Sequence, residues 1–152
     1  MWTVVDFGKW RGKGLTLPQI VLRDPDWFFW AAKEDVFPAA LKDEAKRIAY
    51  RATHITINKP GPTEWEIEYL VGHDGKFANF EIVPKDRPRH EGSSMAVRSK
   101  HLSLAFPSSL KGYDKLGCRL MLAGFKYHGL GKNGRFTKQN CEAFFSEASH
   151  FA

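Results

Sequence analysis

Three cations alternate with glycines near the N-terminus, in a pattern suited to binding an anion. The segment Phe7–Gly14 reads FGKWRGKG, and its glycines allow backbone N–H groups to approach a phosphate beside Lys9, Arg11 and Lys13. Trp10 lies among these cations, where a base or sugar can stack on its ring. The pattern predicts a phosphate-binding turn; the alternative is a hairpin whose cations face water while Trp10 packs inward.

The turn is followed by a Leu-Pro pair and an aromatic helix start, in which Asp24-Pro25-Asp26 leads into Trp27–Trp30, read as WFFW. Together, these stretches resemble a small bacterial module found at the C-terminus of exodeoxyribonuclease X-like proteins and in short stand-alone proteins. The similarity covers roughly the first 30 residues. In those exonucleases the catalytic acids belong to a separate domain, which these 152 residues do not include. The resemblance implies an accessory module associated with nucleic acid, without nuclease activity.

Basic residues are concentrated in the C-terminal half of the chain. The net charge is +6, and the segment 85–138 carries twelve Lys or Arg against three acidic residues. Such asymmetry indicates a face that meets an anion, and nucleic acid, either DNA or RNA, is the commonest such partner. We expect Trp10 to stack on the nucleic acid and the following cations to contact its phosphates: Lys9, Arg11, Lys13, Arg87, Arg89, Arg98, Lys100, Lys132 and Arg135.

Patterns for catalysis or for a cofactor are weak. The segment Gly129–Gly134 fits GxGxxG, but a dinucleotide fingerprint follows a strand, whereas this one follows helical sequence. Asp74, Glu81 and Lys85 suggest a metal-dependent nuclease, but the lysine lies four positions after Glu81 instead of two. No metal-ligand spacing connects the scattered histidines His73, His90, His101 and His128. We therefore expect no catalytic residues, no cofactor and no metal site.

Two cysteines and the N-terminal sequence indicate the compartment. Cys118 and Cys141 form no CxxC pair, so we expect two reduced, buried thiols. The first residues lack the basic and apolar regions of a secretory signal. No apolar run approaches the roughly 20 residues that span a bilayer. These features predict a cytoplasmic protein without a membrane partner.

A hairpin over residues 64–84 is the clearest predicted element. Trp65–Val71 alternates large apolar with acidic residues at first, as a half-buried strand does. The Asp-Gly pair at 74–75 favours the tight turns that match strand twist, and Phe77–Val83 returns as the partner strand. The sequence thus predicts a small antiparallel sheet.

Helices surround this hairpin in the predicted fold. Asp24 is expected to cap a helix, residues 38–52 have helical apolar spacing, and Thr137 is expected to open the last helix. Ser108 or Ser109 is expected to cap another helix, which ends at about Tyr127. The polar segment 84–100 is expected to be an exposed basic loop, and the segment 2–7 a short strand. Residues 1–152 are therefore predicted to form a single α+β domain, with a turn-helix unit at 1–35 and an α+β body at 36–152.

The leading functional hypothesis is a non-catalytic module that binds nucleic acid through a basic face. The alternative is a protein-interaction module that docks on an acidic surface, such as a phage or mobile-element inhibitor of a host nucleic-acid enzyme. A metal-dependent nuclease is the third hypothesis.

Overall fold

The protein consists of helices and a small sheet. The computed structural model describes residues 1–57, 59–92, 95–131 and 133–152. Within these residues the elements are α1 (Leu17–Val21), α2 (Pro25–Lys33), α3 (Lys42–Ala52), β1 (Trp65–Val71), β2 (Phe77–Pro84), β3 (Met95–Ser99), α4 (Phe106–Leu110), α5 (Lys115–Leu130) and α6 (Lys138–Ser146). The predicted α+β class is confirmed. None of the helices formed by these residues is long and apolar enough to cross a membrane.

The sheet has the strand order β2-β1-β3, with antiparallel pairing throughout. The predicted hairpin is confirmed: Gly75 takes a φ of +76° at its turn, and the backbone N–H of Lys76 donates to Asp74 Oδ1 at 3.0 Å. The prediction of an exposed loop over 84–100 is wrong at its C-terminal end, because Met95–Ser99 forms β3. The alternation of apolar Val97 with polar Arg98 is the strand signal that the surrounding polar residues obscure.

The two faces of the sheet have different neighbours. The inner face carries Ile67, Tyr69 and Phe80, which belong to the hydrophobic core, and α5 packs on β2 from this side. The approach of α5 is close at Gly124, where an added Cβ would lie 2.5 Å from the Phe80 ring. The outer face carries acidic side chains and Arg98, and the segment that follows β2 covers it. The sheet therefore separates α5 from that segment.

The N-terminal helices share one core with the rest of the chain. The buried residues Leu17 of α1, Ile48 of α3 and Phe145 of α6 belong to the same hydrophobic cluster as the inner face of the sheet. The segment 2–7 was expected to be a strand, but its pairing is an isolated bridge between Val4 and Thr16. Cys118 and Cys141 are buried and unbonded, as predicted.

Helix caps follow the expected chemistry at two of three positions. The backbone N–H of Trp27 donates to Asp24, and that of Asn140 donates to Thr137, so both predicted caps are confirmed. The predicted cap at Ser108 or Ser109 is wrong, because both serines lie within α4. Asp114 caps the following helix instead, accepting from the Gly117 N–H at 2.9 Å.

Candidate nucleic-acid interface

The glycine-punctuated turn forms, but the backbone donors at its centre are already used. Gly8, Gly12 and Gly14 have φ values of +59°, +74° and +69°, which only glycine adopts at little cost. The N–H groups of residues 10, 11 and 13 donate to carbonyl groups of the same turn, and that of Gly12 donates to Asp6 Oδ1 at 3.0 Å. The N–H groups of residues 10 to 13 are therefore not free to form the predicted cradle for a phosphate. The side chains of Arg11 and Lys13 are exposed, and that of Lys9, also exposed, forms an ion pair with Asp24.

Trp10 packs inward and does not offer a stacking face. Its side chain is 4% exposed, and its ring contacts the Trp27 ring edge to face at 5.7 Å between centroids. Lys9 and Lys13 lie over the ring, with Nζ at 4.9 and 5.6 Å from its centroid. The expected stacking role of Trp10 is thus corrected to a core role, because burying its large apolar surface is more favourable than exposing it.

Arg98 is part of the interior, in contrast to its predicted role as a phosphate ligand. The side chain is 11% exposed and donates through Nε to Glu68 Oε2 at 2.8 Å. Its guanidinium also donates to the carbonyl groups of Lys85 and Arg87, at 3.2 and 2.6 Å. Burial alone would raise the pKa of Glu68, but hydrogen bonds from Arg98 and from the His90 backbone, with their charges, lower it overall. Arg98 thus holds the segment after β2 against the sheet.

The other predicted cations are spread over different surfaces. Arg87 and Arg89 are exposed on the segment that covers the outer face of the sheet, and Lys100 is exposed just after β3. Arg135 is exposed next to Phe136, near the end of α5. Lys132 lies outside the described residues. Arg87 and Arg89 therefore lie on the side of the sheet that faces away from α5, and Lys100 follows its edge strand β3.

A different set of cations lines a groove along α5. The groove has a volume of about 440 Å³ and lies between the residues that join α1 to α2 and the outward face of α5. Four exposed cations line it: Arg23, Lys115, Arg119 and Lys126. None of the four forms an ion pair with any residue that the structure describes. Phe136 also lines the groove, with Lys126 Nζ 5.9 Å from its ring centroid.

The helical period explains why three of these cations share one face. Positions 115, 119 and 126 lie within about 40° of one another around a helix of 3.6 residues per turn. The cations lie at the edge of the exposed face of α5, next to the buried Cys118 and Leu122, which also line the groove. The amphipathic pattern that fixes α5 on the core therefore also directs Lys115, Arg119 and Lys126 to solvent.

A larger cavity with aromatic walls lies between α2 and α4. Its volume of about 720 Å³ is within the roughly 300–1,000 Å³ range of small-molecule sites. Trp30 is 53% exposed and Tyr113 is 68% exposed, so both rings offer surface to a ligand. Lys9 and Lys33, both exposed, also line this cavity. Tyr113 has a φ of +59°, a conformation that costs a side chain of this size about 1–3 kcal/mol and is concentrated at functional sites.

A buried carboxyl group forms part of the cavity wall. Asp26, in the first turn of α2, is 7% exposed and lines the cavity. The Ser108 hydroxyl of α4 donates to its Oδ1, whereas its Oδ2 has almost no accessible surface and no hydrogen-bond partner by geometry among the described residues. An unpartnered buried polar group costs about 1–3 kcal/mol. Burial raises the pKa of the neighbouring Cys118 thiol to about 12, and the charge of Asp26 adds to the effect.

The groove and the cavity adjoin each other. Lys9 of the cavity forms an ion pair with Asp24 of the groove. Tyr113 of the cavity lies under Lys115 of the groove, with Nζ 5.5 Å from the ring centroid. These two contacts make the groove and the cavity neighbours on the surface. We call the two sites together the α5 face.

One other cluster has the composition of a metal site. Glu68, Glu81 and His90 place one potential ligand atom each within 4.8 Å of one another. Glu68 and Glu81 face each other across β1 and β2, where like charges destabilise pairing. Glu68 is already bound by Arg98 and by the His90 backbone N–H, at 2.8 and 3.3 Å. These contacts account for Glu68, whereas Glu81 Oε2 is buried and has no hydrogen-bond partner among the described residues.

Sequence reasoning missed most of the α5 face. The sequence predictions did not single out Arg23, Lys115, Arg119 or Lys126, and they included Trp30 only in the aromatic stretch Trp27–Trp30. A helix starting at Asp114 instead of Ser108 would have revealed the spacing of Lys115, Arg119 and Lys126. No sequence signal indicates that Asp26 and Ser108 meet, because 82 positions separate them.

In comparisons with known proteins, no family model, no curated protein and no solved structure matched this chain. The similarity of its N-terminal segment to the exonuclease-associated module therefore stays a prediction.

Proposed function

We propose that this chain is a non-catalytic module that binds single-stranded nucleic acid on the α5 face. The observation that carries the proposal is the row of four exposed cations, none of them ion-paired with a described residue, in a groove beside an aromatic cavity. Phosphates would follow Arg23, Lys115, Arg119 and Lys126, while a base enters the cavity beside Trp30 and Tyr113. This combination of a cationic groove with stacking surfaces is the usual arrangement for binding unpaired strands.

The cavity favours a single strand over a duplex. A base can reach Trp30 and Tyr113 only if it leaves its stack, which costs a few kcal/mol in a duplex and much less in a single strand. The groove alone does not discriminate, because phosphates are present in both forms. The predicted preference for unpaired strands therefore depends on the cavity.

Fluorescence anisotropy with a short labelled oligothymidine strand and its matched duplex tests this function. For a single strand, each phosphate contact contributes about 0.7 to the salt slope, which is the slope of log affinity against log salt concentration. With four contacts, affinity for the strand should fall about 50-fold between about 50 and 200 mM salt. The duplex should bind more weakly than the strand. The absence of any binding at low salt would contradict the proposal and favour the alternative of an acidic protein partner.

A further inference from the structure

The outward side of α5 carries an apolar stripe. Leu116, Leu120 and Tyr127 are 63, 38 and 60% exposed, and Ala123, which lies among them, is exposed as well. Around a helix of 3.6 residues per turn these four positions lie within about 60° of one another, on the side of α5 away from the buried Phe125. A surface helix is normally polar on the side that faces water. The stripe therefore indicates a surface that packs against another chain.

We infer that this stripe pairs two copies of the chain when both bind one strand of nucleic acid. The inference rests on the proposed function and adds a second copy to its site. The spacing of the stripe is symmetric, because its members are four, three and four positions apart. In an antiparallel pair of α5 helices related by a two-fold axis, Leu116 therefore meets Tyr127 of the second copy. Leu120 meets Ala123 in the same way, so a large side chain faces a small one, as in well-packed interfaces.

The cations of α5 lie along only one edge of the stripe. Lys115, Arg119 and Lys126 are centred about 90° to one side of it. The other edge, at Gly124 and His128, carries no lysine or arginine. A two-fold axis perpendicular to both helices brings the cationic edges of the two copies onto the same side of the pair. The two grooves then form one continuous basic surface, along which a single strand contacts both copies.

The same geometry opposes pairing in the absence of a strand. The two cationic edges repel each other, since their side chains form no ion pair with any residue that the structure describes. The stripe is also small, because each partner in a stable complex contributes roughly 20–30 residues and about 800 Å². A strand places phosphates between the cationic edges and holds the second copy close to the first. The free protein should therefore be monomeric, and pairing should depend on the strand.

Sedimentation velocity and fluorescence anisotropy with two labelled oligothymidine strands test this inference. One strand has about 8 nucleotides, enough for one copy, and the other has about 16. We expect the protein alone to sediment as a monomer, the short strand to carry one copy and the long strand to carry two. On the long strand the second copy should bind about tenfold more tightly than the first, because its binding buries both stripes.

A pair of variants separates the stripe from the groove. Leu116→Ser with Leu120→Ser removes two large side chains of the stripe and leaves every cation of the groove in place. This variant should bind the short strand as the unmodified protein does, but on the long strand its second copy should lose the advantage over the first. Val4→Ser with Val36→Ser is the matched control, because these valines are 46 and 39% exposed and lie outside α5. The control should keep the advantage.

The outcomes distinguish this inference from the proposed function. Independent binding of two copies to the long strand, with normal binding to the short one, would overturn the inference alone. Retention of the advantage by the stripe variant would also overturn it and leave the stripe to a partner of another kind. A dimer that forms without any strand would overturn the dependence on the strand. Failure of the unmodified protein to bind either strand would contradict the proposed function, and this inference with it.

Discussion

Replacing Lys115, Arg119 and Lys126 together with alanine should weaken binding of a single strand about 100-fold at about 0.1 M salt. Each lost phosphate contact lowers the salt slope by about 0.7, so the slope should fall by about 2. The three residues share the exposed face of α5 and form no ion pairs with described residues, so their removal should leave the fold intact. Anisotropy titrations across a salt series measure both quantities.

The matched control removes the same charge from elsewhere. Arg87→Ala, Arg89→Ala and Lys100→Ala together lower the net charge of +6 by the same amount, but these residues do not lie in the α5 groove. We expect this variant to keep nearly the whole salt slope. Equal losses in the two triple variants would mean that binding follows overall charge and would contradict a defined interface on the α5 face.

Replacing Arg98 with alanine should destabilise the protein by about 3–5 kcal/mol, because it leaves Glu68 as a buried charge without its partner. Glu68 is 1% exposed, and Arg98 also donates to carbonyl groups of the segment after β2. Urea denaturation measures the loss. Arg87→Ala, an exposed neighbour, should stay within about 0.5 kcal/mol of the unmodified protein.

The pH dependence provides a second measurement on the same ion pair. Because the folded protein holds the pKa of Glu68 below its ordinary value, ionised Glu68 stabilises the fold above the unfolded pKa. That contribution is lost as the pH falls through the lowered folded pKa. The loss of unfolding free energy caused by Glu68→Gln should therefore shrink as the pH falls below about 4.

The Arg98→Ala variant also has an outcome that would contradict this account. A small loss of stability, combined with a large loss of strand affinity, would restore Arg98 as a phosphate ligand.

The fold was predictable where local patterns agree with tertiary structure. The hairpin, the Asp24 cap and the Thr137 cap rest on short-range chemistry that the sequence displays directly. The strand Met95–Ser99 was missed because its polar surroundings suggest a loop, whereas its pairing partner Trp65–Val71 lies almost thirty positions earlier. Pairing at that distance depends on the sheet and leaves only a faint local pattern.

The interface was less predictable, because charge in the sequence does not show which side chains pair. In the sequence Arg98 is one cation among many, but in the fold it pairs with the buried Glu68 of the neighbouring strand and is itself mostly buried. Trp10 reads as a stacking residue, but its ring is covered by the same turn that was expected to display it. The exposed aromatic residues of the α5 face, Trp30 and Tyr113, are far apart in sequence and meet only in the fold.

Backbone amide chemical shifts, followed by NMR while a short single strand is added at low salt, test the location of binding most directly. The largest shifts should fall in the residues that join α1 to α2, in α2, in the residues that join α4 to α5, and along α5 as far as Lys126. Shifts concentrated instead in the segment 85–92 and in β3, or no shifts at all, would contradict an interface on the α5 face.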